Sequence, residues 1–399
     1  MDFSHSPRTT ELSACLWEFM RDHVFPAESA LGHNHGESTD PTEAKLLTAL
    51  TDEARRQGLW NLFLPSVSGL STIEYAPLAE ISGWSPVLAP RAMNCAAPDS
   101  GNMEILHMFG TEDQRTRWLN PLLDGTIRSA FAMTEPDVAS SDATNISTSI
   151  TRDGDDYIIN GRKWWITGVA DTACEIFIVM GKTDPTAPRH RQQSMILVPH
   201  DTPGVRIVRR LPIFGYWDRQ GHSEIVFDNA RVPAANILAG EGEGFAIAQA
   251  RLGPGRVHHA MRAIGMAERA LALMVERAGS RTAFGSLLLD QGVVRDLIAR
   301  SRVEIDQARL LVLHTAWLID TYGAQKATTE IAAIKIAAPD VATKVIDRAI
   351  EIFGAAGVSD DFPLAYFYAS ARTLRIVDGP DAVHRRTIAR QEIRRKRPY

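Results

Sequence analysis

The chain has 399 residues, of which 45% are hydrophobic and 23% are charged, and its formal net charge is −5. This length and composition are those of a globular protein with two or three domains. The acidic balance gives no general attraction to nucleic acid, and no apolar run reaches the roughly 20 residues that a membrane-spanning helix requires.

Residues 8–125 have a helical pattern, with an apolar stripe that includes Leu12, Leu16 and Phe19. We therefore predict an N-terminal α-helical domain over residues 1–128. The first twenty residues contain no basic start followed by an apolar stretch, so we expect no secretory signal and a cytoplasmic location.

Between residues 129 and 240 the apolar period becomes two. Short apolar runs separated by Pro and Gly predict strands at 156–161, 175–180, 194–199 and 223–227. Regular spacing without intervening helices favours an antiparallel β-domain over βαβ units. The middle domain is thus predicted over 129–240.

The helical period returns in residues 241–399. The four long candidate helices are 245–278, 287–321, 328–353 and 381–396. They predict a C-terminal four-helix bundle. The predicted fold class is α+β, with domains in the order α, β, α.

Several familiar sites are not expected. The three cysteines lie far apart, which predicts reduced thiols rather than disulfides or a zinc site. The histidines of segment 32–37 lie between glycines, a pattern typical of a polar loop, and we predict no metal there. The glycine-rich segment 240–245 follows no strand of a βαβ unit, which argues against a dinucleotide-binding loop.

Two segments of the β-region carry the chemistry. Residues 131–142 read FAMTEPDVASSD, and residues 160–167 read NGRKWWIT. Taken singly, the first is a turn and the second a strand with packed aromatics. Together they place small residues and hydroxyl groups beside a flat indole, which suits a planar cofactor that forms hydrogen bonds.

These motifs resemble the flavin-binding middle domain of the acyl-CoA dehydrogenase family. The resemblance extends over most of the chain, through NPLLDG at 120–125, GEGF at 242–245, RTAFG at 281–285 and FGAAG at 353–357. It implies FAD as cofactor, a homodimer or homotetramer, and oxidation of an acyl-CoA thioester to the trans-2-enoyl-CoA. It also implies electron-transferring flavoprotein as the electron acceptor.

The resemblance assigns residues as well. Those matched to the FAD site are Phe131, Met133, Thr134, Ser141, Trp165, Ile166, Thr167, Arg281, Phe284, Glu351 and Gly354. Among them, Arg281 and Phe284 match residues that reach FAD in the neighbouring subunit. Those matched to the substrate site are Ser141, Arg256, Asn94, Asp99 and Gly379.

Asp378 falls where the family places its catalytic glutamate. By itself the Asp378-Gly379 pair is most simply a turn. The resemblance instead implies that Asp378 removes the substrate α-proton while flavin N5 accepts the β-hydride. Aspartate is one methylene shorter than glutamate, and Pro380 replaces a hydroxyl residue. Some relatives carry their base at the position of Gly255, which has no side chain here.

The chain most resembles one branch of this family, whose members are fused to a kinase-like domain in some organisms. The features that carry this resemblance are Asp378, RLGPGR at 251–256 and NCAAPD at 94–99. Two alternatives stay open: a flavin oxidase of the same fold, like nitroalkane oxidase, and a non-catalytic flavoprotein. Polar residues in segment 94–102 predict a short or medium acyl chain with a polar substituent, although they could equally cap the following helix.

Overall fold

The structure, a computed structural model, describes residues 4–32, 41–217 and 221–395. Helices come first, a sheet follows, and long helices complete the chain. The early helices are α1 Pro7–Phe19, α2 Phe25–Leu31, α3 Pro41–Arg56, α4 Pro65–Ser68, α5 Thr72–Ser82, α6 Leu88–Ala92, α7 Asp99–Phe109, α8 Glu112–Gln114 and α9 Asn120–Leu123. The late helices are α10 Gly244–Ser280, α11 Gly292–Tyr322, α12 Thr328–Phe353, α13 Leu364–Leu374 and α14 Asp381–Arg394.

The chain forms two compact units. One contains Met1–Cys95 together with Gly253–Tyr399, and the other contains Ala96–Leu252. The first unit thus joins helices that are distant in sequence, whereas the division into domains at 128 and 240 follows the sequence pattern alone. That three-part division stays a prediction.

In the first unit, a capping box marks the start of α5, and buried apolar side chains hold the long helices together. α5 begins with a capping box, in which Ser71 Oγ accepts from the Glu74 amide and Glu74 Oε2 accepts from the Ser71 amide at 3.0 Å. α12 packs against α11, α13 and α14 around buried side chains such as Ile334 and Val345. The prediction of four late helices missed α13, which is only 11 residues long.

The second unit is built on a seven-stranded sheet. Its strands are β1 Arg128–Ala132, β2 Ser149–Asp153, β3 Asp156–Thr167, β4 Cys174–Lys182, β5 Gln193–Pro199, β6 Val205–Leu211 and β7 His222–Pro233. They lie in the order β1-β4-β2-β3-β7-β6, and β5 pairs with β4. The pairs β2–β3, β3–β7, β4–β5 and β6–β7 are antiparallel, as predicted.

The sheet is mixed, however, rather than purely antiparallel. β1 runs parallel to β4, with Ala130 opposite Phe177. β4 is buried on both faces, since Phe177 and Ile178 are both 0% exposed. A continuous apolar run of this kind cannot show strand direction, because both faces need apolar side chains whichever way the neighbour runs.

A close approach explains the glycine of the NGRK segment. A Cβ on Gly161 would lie 2.3 Å from Thr148 Oγ1, so only glycine fits at this position of β3.

Some sequence predictions concern cysteines, metals and membranes. Cys15, Cys95 and Cys174 are free thiols, as predicted. Residues 33–37 of the polar histidine loop lie outside the described residues. Within the described ranges, no helix is long and apolar enough to cross a membrane.

Candidate active site

The candidate residues fall in both units, and each group is described within its own unit. In the second unit the central feature is a bulge in β3. The pairing of β3 with β7 shifts register between Lys163 and Ile166, and Trp165 has a φ of 55°. A left-handed conformation costs a bulky residue roughly 1–3 kcal/mol. The bulge turns the Trp165 indole outward, so that the residue is 41% exposed while Ile166 stays in the core.

The hydroxyl of Thr167 has a fixed partner. Its Oγ1 lies 2.8 Å from Nδ1 of His222, which faces it on β7. His222 is buried, and its ring centroid lies 6.0 Å from that of Trp165. The strand pairing therefore places an oriented hydroxyl beside an exposed indole.

A buried ion pair supports the Thr-Glu-Pro loop against β3. Lys163 is 0% exposed, and its Nζ donates to Glu135 Oε1 at 2.8 Å and to the Met133 carbonyl at 2.9 Å. Glu135 also accepts from the amides of Ser147 at 2.7 Å and Thr148 at 2.9 Å. Burial opposes ionisation of Glu135, but Lys163 and these donors outweigh it and lower the pKa of the carboxyl group.

Sequence reasoning assigned no role to this ion pair. Lys163 lies two positions before Trp165 on β3, and Glu135 follows Thr134 directly. The available signal was a lysine on a strand otherwise rich in apolar residues. If such a lysine is buried, it requires a counter-charge. The pair fixes the two predicted flavin segments to each other.

The other candidate residues of the second unit lie in β1 or in the loop that follows it. Thr134 is exposed, and its carbonyl accepts from the Trp164 amide at 3.0 Å. Ser141 is also exposed, on the loop in which Ser140 Oγ accepts from the Glu135 amide at 2.9 Å. Met133 is half-buried. Phe131 lies under a guanidinium, with Arg251 Cζ 4.4 Å from its ring centroid.

In the first unit, Asp378 lies in the loop between α13 and α14. It has a φ of 55°, and Gly379 follows with a φ of 101°. Arg256 Nη2 on α10 donates to the Asp378 carbonyl at 3.0 Å. The Asp378 carboxylate Oδ2 lies 3.5 Å from His259 Nε2, and its side chain is only 21% exposed. The carboxylate therefore faces α10 and is not a freely solvated turn residue.

Asn94 and Asp99 were predicted to bind substrate, and the structure gives both of them partners within the protein. Asn94 is 1% exposed and donates from Nδ2 to Asn61 Oδ1 at 2.7 Å. Asp99 Oδ1 accepts from both the amide and the hydroxyl of Ser129 at 2.7 Å. The reason for expecting a polar acyl substituent, that these groups would be left without partners, therefore does not hold for Asn94 and Asp99. Their role in substrate binding stays a prediction.

The remaining FAD candidates are exposed on the first unit, and two of them, Arg281 and Phe284, were matched to the neighbouring subunit's site. Arg281 precedes a small hairpin of β8 Thr282–Ala283 and β9 Ser286–Leu287. Phe284 forms its turn with a φ of 52° and is 102% exposed. Glu351 is exposed near the end of α12, and Gly354 ends that helix with a φ of 64°.

Comparison with known proteins agrees with this architecture. Residues 130–230 match the middle domain of acyl-CoA dehydrogenases, and residues 242–393 match the C-terminal domain of acyl-CoA dehydrogenases. The probable acyl-CoA dehydrogenase FadE2 of Mycobacterium tuberculosis is 60% identical, over 100% of this chain and 98% of its own length. A solved structure from Mycobacterium abscessus, assigned to the acyl-CoA dehydrogenases, is 52% identical with a TM-score of 0.94, covering 98% of this chain and 99% of that one.

A longer human protein, acyl-CoA dehydrogenase family member 11, is 52% identical over 98% of this chain. The match covers 51% of the human protein, so the chain spans about half of that relative's length. The fold, the matched domains and these relatives define a flavoprotein oxidoreductase. The chain belongs to the acyl-CoA dehydrogenase family, as its motifs predicted.

Proposed function

We propose that the protein is an FAD-dependent acyl-CoA dehydrogenase that forms a trans-2-enoyl-CoA, with Asp378 as the base that removes the α-proton. The observation that carries the proposal is the placement of Asp378. Asp378 has a left-handed φ of 55°, its main-chain carbonyl accepts from Arg256 of α10, and its carboxylate lies 3.5 Å from His259 of the same helix, with 21% of the side chain exposed. Partly buried carboxylates held by contacts to a neighbouring helix are candidates for acid-base chemistry.

The residues of the second unit fit a flavin. Trp165 offers a flat, partly exposed apolar surface, and Thr134 and Ser141 offer exposed hydroxyl groups. The oriented hydroxyl of Thr167 can form a hydrogen bond to a ring edge. The residues that would hold FAD in this unit are Phe131, Met133, Thr134, Ser141, Trp165, Ile166 and Thr167. FAD, when bound, supplies the hydride acceptor.

The chain's own residues perform the proton chemistry. The α-proton of a thioester is weakly acidic, so its removal requires a carboxylate within hydrogen-bond reach and little competing water. Arg256 holds the main chain of Asp378, and Gly379 gives the loop a second left-handed residue. We propose that Arg256, Gly379 and Ser141 also border the substrate.

We further propose that Phe284 and Arg281, together with Glu351 and Gly354, complete the FAD site of a second copy in a homodimer or homotetramer. Phe284 leaves its whole side chain exposed and adopts a positive φ that Gly or Asn would adopt at lower cost. A role in contacting another subunit accounts for an aromatic residue there. Electron-transferring flavoprotein is the proposed electron acceptor.

The decisive experiment is an anaerobic titration of the FAD-loaded protein with a panel of acyl-CoA esters that varies in chain length and polar substituents. Bleaching of the flavin absorbance by at least one ester, with formation of the enoyl-CoA, supports the proposal. Absence of bleaching with every ester contradicts it. Rapid reoxidation of the reduced protein in air would instead indicate an oxidase of the same fold.

A further inference from the structure

The carboxylate of Asp378 lies against a histidine. Its Oδ2 is 3.5 Å from Nε2 of His259 on α10, and each of the two side chains is 21% exposed. Arg256, three residues earlier on the same helix, donates to the main-chain carbonyl of Asp378 at 3.0 Å. Residues three positions apart are neighbours on one face of a helix. One face of α10 therefore contacts both the backbone and the carboxylate of the proposed base.

The preceding histidine of α10 faces another way. His258 is 3% exposed, and its ring centroid lies 4.8 Å from that of Tyr75 on α5. Burial holds the pKa of His258 well below the ordinary value of 6.5, so this ring is neutral at neutral pH. Of two successive histidines, one is thus packed in the core, whereas His259 is partly open to solvent beside a carboxylate.

Other charged and titratable groups lie near this loop on α12 and α14. Lys335 on α12 is 1% exposed, and burial lowers its pKa to about 8. His384 on α14 is 3% exposed, its Nε2 would lie 3.1 Å from a Cβ on Gly379, and burial lowers its pKa to about 4. The Asp381 carboxylate is paired with Arg375 at 2.7 Å. Between pH 5 and pH 7, His384 is mostly neutral and Lys335 is mostly charged, so neither changes state where an ordinary imidazole does.

An imidazole beside a carboxylate affects it in two ways. A neutral ring can donate one hydrogen bond and so orient the carboxylate. A protonated ring adds a positive charge, which makes the carboxylate harder to protonate and therefore a weaker base. The contact of 3.5 Å between Asp378 and His259 is longer than a hydrogen bond, and contacts of this kind tighten in the substrate complexes of many enzymes.

We propose that His259 is a positioning residue for Asp378: Nε2 of its neutral ring orients the carboxylate, and protonation of the ring slows removal of the α-proton. The inference rests on the proposed function, in which Asp378 takes that proton. In this step the bond between the α-carbon and its hydrogen breaks, a carboxyl O–H bond forms, and the β-hydride goes to FAD. His259 keeps its own protons and acts only through Asp378.

The first test is the rate of flavin reduction in FAD-loaded protein at saturating acyl-CoA between pH 7.5 and pH 5.5. Since an ordinary imidazole has a pKa of about 6.5, the wild-type rate should fall roughly 5- to 10-fold toward pH 5.5. His259→Gln keeps an amide donor but cannot titrate in this range. Its rate should stay within about 3-fold of wild type at pH 7.5 and change less than about 2-fold down to pH 5.5. At pH 5.5 the variant should therefore be faster than the wild type, a result that damage to the fold cannot produce.

Two further variants separate the orienting role from the titration. His259→Leu removes the donor and should be roughly 10-fold slower than His259→Gln at every pH, because the carboxylate loses its orientation. Equal rates in these two variants would overturn the orienting role. His107→Gln, at an exposed histidine of α7, is the matched control and should keep the wild-type pH dependence.

The charged neighbours provide an internal check. Lys335 and His384 remain in His259→Gln, so a pH dependence that either of them causes would survive this substitution. A fall in the His259→Gln rate as large as that of the wild type would therefore overturn the role of His259.

A second readout needs no turnover. The ring signal of His259 in ¹³C-labelled, FAD-loaded protein, assigned by its loss in His259→Gln, gives the midpoint of its titration. Because a carboxylate at 3.5 Å favours the protonated ring, Asp378→Asn should lower this midpoint by about one pH unit. An unchanged midpoint overturns the proposal. If Asp378→Asn instead reduces flavin at the wild-type rate, the proposed function fails whatever the midpoint shows, which distinguishes the two outcomes.

Discussion

Arg256 on α10 and Asp378 in the loop after α13 are joined by a hydrogen bond of 3.0 Å from the guanidinium to the main-chain carbonyl. The two residues are 122 positions apart in sequence. The bond therefore fixes the backbone of the proposed base through its main-chain carbonyl. A guanidinium so placed supports a residue that is held in a left-handed conformation.

Arg256→Ala should slow flavin reduction by roughly 10- to 100-fold, because a misplacement of about 1 Å at a reacting group is costly. Stopped-flow measurement of the reduction rate at saturating acyl-CoA checks this. Arg300→Ala, which removes an exposed guanidinium paired with Asp296, should leave the rate unchanged. Equal losses in both variants would contradict a specific role for Arg256.

Asp378→Asn should retain FAD but reduce flavin roughly 10²- to 10⁴-fold more slowly, as expected for loss of a proton acceptor. Asp378→Glu should keep part of the activity, since the longer side chain still carries a carboxylate. Single-turnover reduction with the best ester of the titration measures both. A wild-type rate in Asp378→Asn would show that another group is the base.

The position of Gly255 offers a way to move the base. A Cβ built there meets nothing within 4 Å, so a side chain can begin at this position without a clash at its first atom. In the Asp378→Asn background, Gly255→Glu should restore at least 10-fold of the lost rate, on the scale that a positioned base contributes. Ala299→Glu, on an exposed part of α11, is the control and should restore none. No gain in the Gly255→Glu variant would mean that this position does not face the substrate.

Glu135→Gln should destabilise the second unit by about 3–5 kcal/mol, because it leaves the fully buried Lys163 without its counter-charge. Folding lowers the pKa of Glu135 from its ordinary value of 4.5 to about 2. The ionised carboxylate therefore stabilises the folded state fully when the pH is above 4.5. That stabilisation is lost as the pH falls below 4.5. Denaturant unfolding between pH 7 and pH 3 should show a steeper acid loss in the wild type than in the variant. Glu243→Gln, at an exposed pair with Arg191, should change stability by under 1 kcal/mol.

Phe284→Ala and Arg281→Ala should weaken retention of FAD without lowering the unfolding temperature of the FAD-free protein. Phe214→Ala is the matched control and should not weaken retention of FAD. Phe214 is 67% exposed, has a φ of 50° and also precedes a glycine. FAD content after gel filtration, measured together with molar mass, checks the prediction. Full FAD occupancy in a monomeric form would contradict a cofactor site shared between subunits.

Local sequence patterns and motifs were sufficient to predict the fold class, the family and the positions of most elements. Periods of two and of about 3.6 residues are local properties of strands and helices, so they can be read along the chain. The motifs around Thr134 and Trp165 carried the resemblance because their order and spacing are specific. The free state of the three cysteines also followed from their spacing.

Tertiary structure alone decided the features that join distant residues. The parallel pairing of β1 with β4, the Lys163–Glu135 ion pair and the partners of Asp99 all depend on which segments meet. The left-handed φ of Trp165 could not be read from sequence either, because local preference disfavours it for a bulky aromatic residue. Aspartate tolerates this conformation, but the sequence does not show which aspartates adopt it. The surrounding contacts impose these conformations, and such contacts exist only in the folded chain.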